Sequence, residues 1–283
     1  MPSRTEWSLA LVCLMTTLTP AQEETRNYLV DRDLTFLNPD RPEKLDLYLP
    51  PDPKPGTKRP AVIVIHGGGW KLGDKADDRE TQIAGTLANA GFVVVSINYQ
   101  LAMRDKPAWP TCLDDCRAAV RWLREHAEEY AIDPDRLGAI GGSAGGSMSL
   151  LIALDEPKAN FKRVQAVVAL YPPTDLVNRK AENQLMFGHS REARPDLYRD
   201  ASILLRVQGG FPPTLLIHGT ADTTVPQDHS ERLAARLKEL GVPHELILVP
   251  DAPHTFPIKS DRIDLRAKVV EFFVKNLSVT PNR

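Results

Sequence analysis

Six short apolar runs rich in β-branched residues recur along the chain, at 61–65, 92–97, 137–140, 164–170, 214–217 and 245–249, with helix-patterned stretches between them. A strand that is apolar on both faces has to be covered on both sides, and parallel neighbours need a long crossover between them. The alternation therefore predicts an α/β chain: a mostly parallel central sheet with helices on both faces. Leu113, Cys116, Val120 and Leu123 fall at helical spacing, so 111–130 is expected to be a helix with an inward stripe. A second helix is expected over 230–240, closed by Gly241 and Pro243. Before the first run, 28–49 alternates as an antiparallel opening hairpin would, and 50–60 is a proline-rich connector. Residues 175–210 are polar, Arg-rich and poor in strand signal, which predicts an irregular or helical excursion above the sheet that helps form a small cap.

No repeat, low-complexity tract or break in composition divides the chain, so residues 22–283 are expected to form a single domain. A formal charge of −2 and the lack of any run of five basic residues argue against a nucleic-acid partner. Residues 1–21 have a different pattern. Arg4 precedes a short apolar stretch, Trp7 to Leu18, and small residues at 19–21 precede Gln22. This is the pattern of a signal peptide, which predicts a secreted or periplasmic chain; the stretch is too short to span a bilayer, and Val12 before Cys13 is too large for a lipid-anchor signal. Cys112 and Cys116 stand one helical turn apart, open to pairing in an exported protein or to simple burial.

The chemistry is concentrated at the ends of the predicted strands. The run at 137–140 enters Gly141-Gly142-Ser143-Ala144-Gly145, a G-x-S-x-G turn leading into a helix. A serine on so tight a strand-to-helix turn needs small neighbours, and the helix that follows directs its positive end at the site. The glycines do not suit a nucleotide: no Lys followed by Ser or Thr comes after them, Gly146 being followed by Ser147 and Met148, and the segment lies mid-chain rather than in a first βαβ unit. After the run at 61–65 comes His66-Gly67-Gly68-Gly69-Trp70. Three successive glycines are costly in conformational entropy, and they let main-chain N–H groups approach a developing oxyanion.

The remaining members of a Ser, acid, His order are present at later strand ends. Asp222 follows the run at 214–217 and His254 follows that at 245–249, which gives Ser143 as nucleophile, Asp222 as acid and His254 as base. Asp251, three residues before His254, is the rival acid. His66 is assigned to the glycine loop. His126, His189, His229 and His244 lie in polar surroundings without zinc-ligand spacing and are expected at the surface. No metal or organic cofactor is implied.

With these motifs in place, the chain from about residue 60 onward resembles the α/β-hydrolase esterases with an HGGGW oxyanion loop, akin to hormone-sensitive-lipase-like carboxylesterases and to bacterial feruloyl and acetylxylan esterases. The resemblance rests on HGGGW at 66–70, SINYQLA at 96–102, DPDRLGAIGGSAGG at 133–146, HGTADTTVP at 218–226 and PHTF around His254. It implies the α/β-hydrolase fold and an oxyanion hole formed by the N–H groups of Gly68, Gly69 and Ala144, with Gly67 as the alternative to Gly69. Gly142 departs from the pattern, since many lipase-like members carry Asp before the serine. The expected activity is a serine esterase acting on short acyl esters or on polysaccharide-linked acetyl or feruloyl esters. Trp70 and Tyr171 are expected near the substrate. The alternative is a serine exopeptidase of the prolyl-oligopeptidase-like type, for whose usual extra domain 283 residues leave no room.

Overall fold

The computed structural model describes residues 27–51, 56–154, 161–179 and 184–278; the expected signal segment lies outside them. In chain order the elements are β1 (Leu29–Leu34), β2 (Leu45–Leu49), β3 (Arg59–Ile65), α1 (Asp78–Asn89), β4 (Val93–Ile97), α2 (Thr111–Glu125), β5 (Ile132–Gly142), α3 (Ala144–Leu151) and β6 (Ala166–Leu170). The short helices α4 (Gln184–Phe187), α5 (Pro195–Asp200) and α6 (Ile203–Arg206) follow, then β7 (Thr214–Gly219), α7 (Asp228–Glu239), β8 (His244–Val249) and α8 (Arg266–Leu277). The strands form one sheet in the order β1-β2-β4-β3-β5-β6-β7-β8. β1 and β2 are antiparallel, β2 meets β4 antiparallel, and every pairing from β4 through β8 is parallel. This is the α/β-hydrolase arrangement.

The reason the central strands are apolar throughout is visible in β3. Ala61, Ile63 and Ile65 enter one apolar layer while Val62 and Val64 enter the other, so both faces are dry. The first layer packs against α2, α3 and α7 through residues such as Leu113, Met148 and Leu233. The second packs against α1 and α8 through Ile83, Leu87, Val269 and Phe273.

Two expectations need adjustment. The helix anticipated over 111–130 stops at Glu125, because the chain has to turn into β5: the Ile132 N–H donates to the Ala127 carbonyl at 2.8 Å, and the rings of His126 and Tyr130 stack beside Trp122. The excursion at 175–210 contains three short helices in its described part. It is tied down by Leu176 N–H to Ser202 Oγ at 2.8 Å and by the Arg191 guanidinium, which donates to the Val177 and Arg179 carbonyls. Among the described residues no helix is long and apolar enough to cross a membrane.

Candidate active site

The parallel part of the sheet reverses its order at β3, which has β4, its successor in the chain, on one side and β5 on the other. At such a switch point the loops leaving the two strand ends diverge and open a crevice. Here those loops are the glycine run after Ile65 and the turn at Ser143. Tyr171 follows β6, Asp222 follows β7 and His254 follows β8, so all arrive at the same carboxyl edge.

Ser143 sits on a sharp elbow with φ 54° and ψ −120°, a conformation that costs strain and is held by the Ser143 N–H donating to the Leu170 carbonyl at 2.9 Å. α3 begins at the next residue, so the Ala144 N–H is one of the helix's orphan donors and points out of its positive end. The elbow is possible because of Gly145. A Cβ there would lie 2.0 Å from the Ile65 carbonyl oxygen, a backbone atom that cannot move aside.

Asp222 and His254 complete a chain of hydrogen bonds from three separate loops. Ser143 Oγ lies 2.9 Å from His254 Nε2, and His254 Nδ1 lies 2.6 Å from Asp222 Oδ2. The other carboxylate oxygen, Oδ1, accepts from the N–H groups of Thr224 at 2.9 Å and Val225 at 2.8 Å. The Asp222 side chain is fully buried and that of His254 is 14% exposed, so the carboxylate is fixed while the imidazole still reaches the crevice. The rival acid, Asp251, is exposed on the surface, its N–H donating to Thr220 Oγ1. Such a chain can take the proton from Ser143 and hold the resulting imidazolium against a carboxylate.

The glycine loop faces the elbow. At Gly67 a Cβ would lie 3.5 Å from Ser143 Cβ. Gly68 has φ +102°, and a Cβ there would stand 2.0 Å from the Leu72 carbonyl oxygen, which fixes glycine at this position. His66 holds the loop from beneath: its Nδ1 bonds the Gly67 carbonyl at 2.7 Å, and its ring stacks on Tyr99 with centroids 4.3 Å apart. Burial pushes the His66 pKa down, so the ring is neutral and structural.

Trp70 and Tyr171, expected near the substrate, are 1% and 0% exposed. Neither presents surface to the crevice. Trp70 joins the apolar layer under the loop, where its carbonyl accepts the Ala102 N–H at 2.7 Å. Tyr171 sits behind the imidazole. Its hydroxyl donates to the Phe256 carbonyl at 3.2 Å and accepts from Arg79 Nη1 at 3.0 Å, and burial pushes its pKa up to about 12. Arg79 also donates from Nε to Glu80 Oε1 at 2.9 Å. Burial opposes the Arg79 charge, but Tyr171 and Glu80 more than restore it; burial raises the Glu80 pKa against the pull of Arg79.

The family profile described as BD-FAE matches residues 45–237, well over half of the chain. The chain belongs to the BD-FAE family. The BD-FAE match takes in the glycine loop, Ser143 and Asp222 and ends before His254. Over 274 residues the chain is 28% identical to the probable carboxylic ester hydrolase LipM of Mycobacterium tuberculosis, covering 90% of this chain and 63% of that one. It spans 55% to 63% of the length of the three mycobacterial relatives LipM, LipQ and LipC. Among solved structures, a truncated carbohydrate esterase from gut microbiota superposes with a TM-score of 0.78 at 25% identity, covering 90% of this chain and 99% of that one. The esterase Est2 of the planctomycete Thermogutta terrifontis superposes with a TM-score of 0.73 at 28% identity, covering 92% and 96%.

Several residues of this BD-FAE site have no local signature in the sequence. Arg79 and Glu80 reach it from α1, and nothing in their neighbourhood along the chain marks them. His218 is visible only as the first residue of HGTADTTVP. His229, expected at the surface, is instead 4% exposed and accepts the Thr174 N–H at Nδ1, 3.1 Å away, because it lies on the inward face of α7. Cys112 and Cys116 are buried free thiols on the inward stripe of α2, and burial raises the pKa of both.

Proposed function

We propose that this protein is a serine esterase that hydrolyses carboxylic esters through an acyl-serine intermediate. The observation that carries the reading is the continuous chain Ser143 Oγ, His254 Nε2, His254 Nδ1, Asp222 Oδ2 at the switch-point crevice, facing the glycine loop. His254 takes the Ser143 proton as Oγ attacks the ester carbonyl, and the tetrahedral oxyanion is received by N–H groups of Gly68, Gly69 and Ala144. His254 then protonates the departing alcohol. Water, giving its proton to the same imidazole, attacks the acyl-enzyme and releases the acid and free Ser143. Asp222 holds the imidazole tautomer throughout and stabilises its charged form.

The names of LipM and Est2 support ester hydrolysis, and the carbohydrate esterase among the structural neighbours supports a polysaccharide-linked acetyl or feruloyl ester as substrate. The basic, apolar and small-residue pattern at 1–21 supports export to the periplasm or beyond. The test is hydrolysis of 4-nitrophenyl acetate, methyl ferulate and acetylated xylan beside an aminoacyl-nitroanilide, for the native chain and Ser143→Ala. Serine-dependent ester cleavage without anilide cleavage is the expected result, and the preferred ester ranks the substrates. Anilide cleavage alone would replace the reading with a peptidase, and turnover untouched by Ser143→Ala would remove the site.

A further inference from the structure

A second histidine stands against the carboxylate that faces His254. His218, the fifth residue of β7, is fully buried, and its Nε2 lies 2.8 Å from the Val225 carbonyl and 3.3 Å from Asp222 Oδ2. Both neighbours can only accept, so Nε2 carries a proton shared between them. On the other side of the ring Nδ1 lies 2.7 Å from Ser230 Oγ on α7. With Nε2 protonated in a neutral ring, Nδ1 is an acceptor, and Ser230 donates to it. Burial pushes the His218 pKa down, which keeps the ring neutral beside the carboxylate.

These contacts close a small circuit. Val225 N–H donates to Asp222 Oδ1 while the Val225 carbonyl accepts from His218, whose same N–H leans on Asp222 Oδ2. The loop that carries the acid is thereby fastened to the end of β7 and to α7 at once. We infer that His218 is a positioning residue for acyl transfer: locked by Ser230 in its Nε2–H tautomer, it fixes the Asp222 carboxylate against His254 and shares its charge. The inference rests on the esterase reading and adds to it a residue that touches neither substrate nor the reacting atoms.

The direction of the effect follows from the groups around the carboxylate. His254 reaches Asp222 from the loop after β8 and His218 from β7. Arg179, after β6, donates to the Thr224 carbonyl and adds a positive field, and Tyr171 stands on the far side of the imidazole. Deleting the His218 donor leaves Asp222 with more of its negative charge to offer His254, which favours the imidazolium.

The experiment is a histidine Cε1–H NMR titration of the whole protein, with the His254 signal assigned from His254→Ala, comparing the native chain with His218→Phe, His218→Gln and Ser230→Ala. In His218→Phe the His254 midpoint should rise by about half a pH unit or more, and kcat on 4-nitrophenyl acetate should fall about tenfold with KM little changed. His218→Gln, whose side-chain N–H can replace the donor, should keep the native midpoint. Ser230→Ala, which keeps the ring but frees its tautomer, should move the midpoint upward by a smaller amount, and it serves if His218→Phe does not fold. A His254 midpoint unmoved in folded His218→Phe, or in Ser230→Ala should the former not fold, overturns the inference. The titration needs no turnover, so a failure of the esterase reading, seen as activity indifferent to Ser143→Ala, is recorded separately.

Discussion

Tyr171 stands edge-on to His254, with ring centroids 4.9 Å apart and planes at 64°, and its hydroxyl bridges the Phe256 carbonyl to Arg79. The imidazole is therefore braced from behind by an aromatic edge anchored in α1, while the hydroxyl holds the backbone two residues past His254. An edge-to-face contact of this kind fixes ring orientation as well as burying area.

Tyr171→Phe keeps the ring and removes the bridge. Arg79 then loses a buried acceptor and the Phe256 carbonyl a donor, a loss of about 1–3 kcal/mol in stability. Urea unfolding measures it, and kcat should fall more than KM changes, since the displaced group is His254 and not a substrate contact. An unchanged midpoint in urea would show that the bridge carries no stability.

Arg79→Met should be more damaging than Tyr171→Phe. Glu80 is 1% exposed and would be left buried without its cation, a situation that costs about 3–5 kcal/mol. Combining Arg79→Met with Glu80→Gln should recover a large part of that loss in a thermal melt, because the uncompensated charge is then gone. If the double variant is no more stable than the single one, the pairing is not what Arg79 contributes.

Gly68→Ala tests the glycine loop. With φ +102° and the Leu72 carbonyl 2.0 Å from the new Cβ, the loop has to shift its N–H groups to admit a methyl. The chain should still fold by circular dichroism, and kcat should drop about 100-fold, the scale of a lost oxyanion donor. Native kcat in Gly68→Ala would place the donors elsewhere.

Acid stability should depend on Asp175. Its side chain is buried, which by itself would raise its pKa, but hydrogen bonds from Asn178 and Arg232 hold it below the usual 3.8. A carboxylate whose folded value lies below its unfolded one stabilises the fold above the unfolded value, and that contribution fades as pH falls through the folded one. Asp175→Asn should lower Tm at pH 7 and flatten the loss of stability below about pH 5, where the native chain steepens. Parallel Tm–pH curves for the two proteins would contradict this.

Cys112 and Cys116 should be silent toward a thiol reagent in the native protein and both should label on denaturation without reductant, since they are free and buried. Peptide mass spectrometry distinguishes this from a disulfide, in which neither would label.

The sequence by itself determined the sheet and the order of chemistry along it. Apolar runs such as 61–65 and 214–217 had to be strands covered on both faces, and the chain order Ser143, Asp222, His254 followed from which strand each motif terminates. These are local properties: period, turn chemistry and small residues at a tight elbow all act within a few positions of the chain. What faces what was left to the tertiary structure. His229 is expected at the surface and Tyr171 near the substrate, yet both are buried, because the face of α7 and the end of β6 are chosen by elements far along the chain. Helix α1, which with α8 covers the second face, brings in Arg79 and Glu80 from outside every motif. Only packing decides which distant charges are desolvated together, and so only the folded chain could show that the carboxylate of Asp222 is shared between His254 and His218.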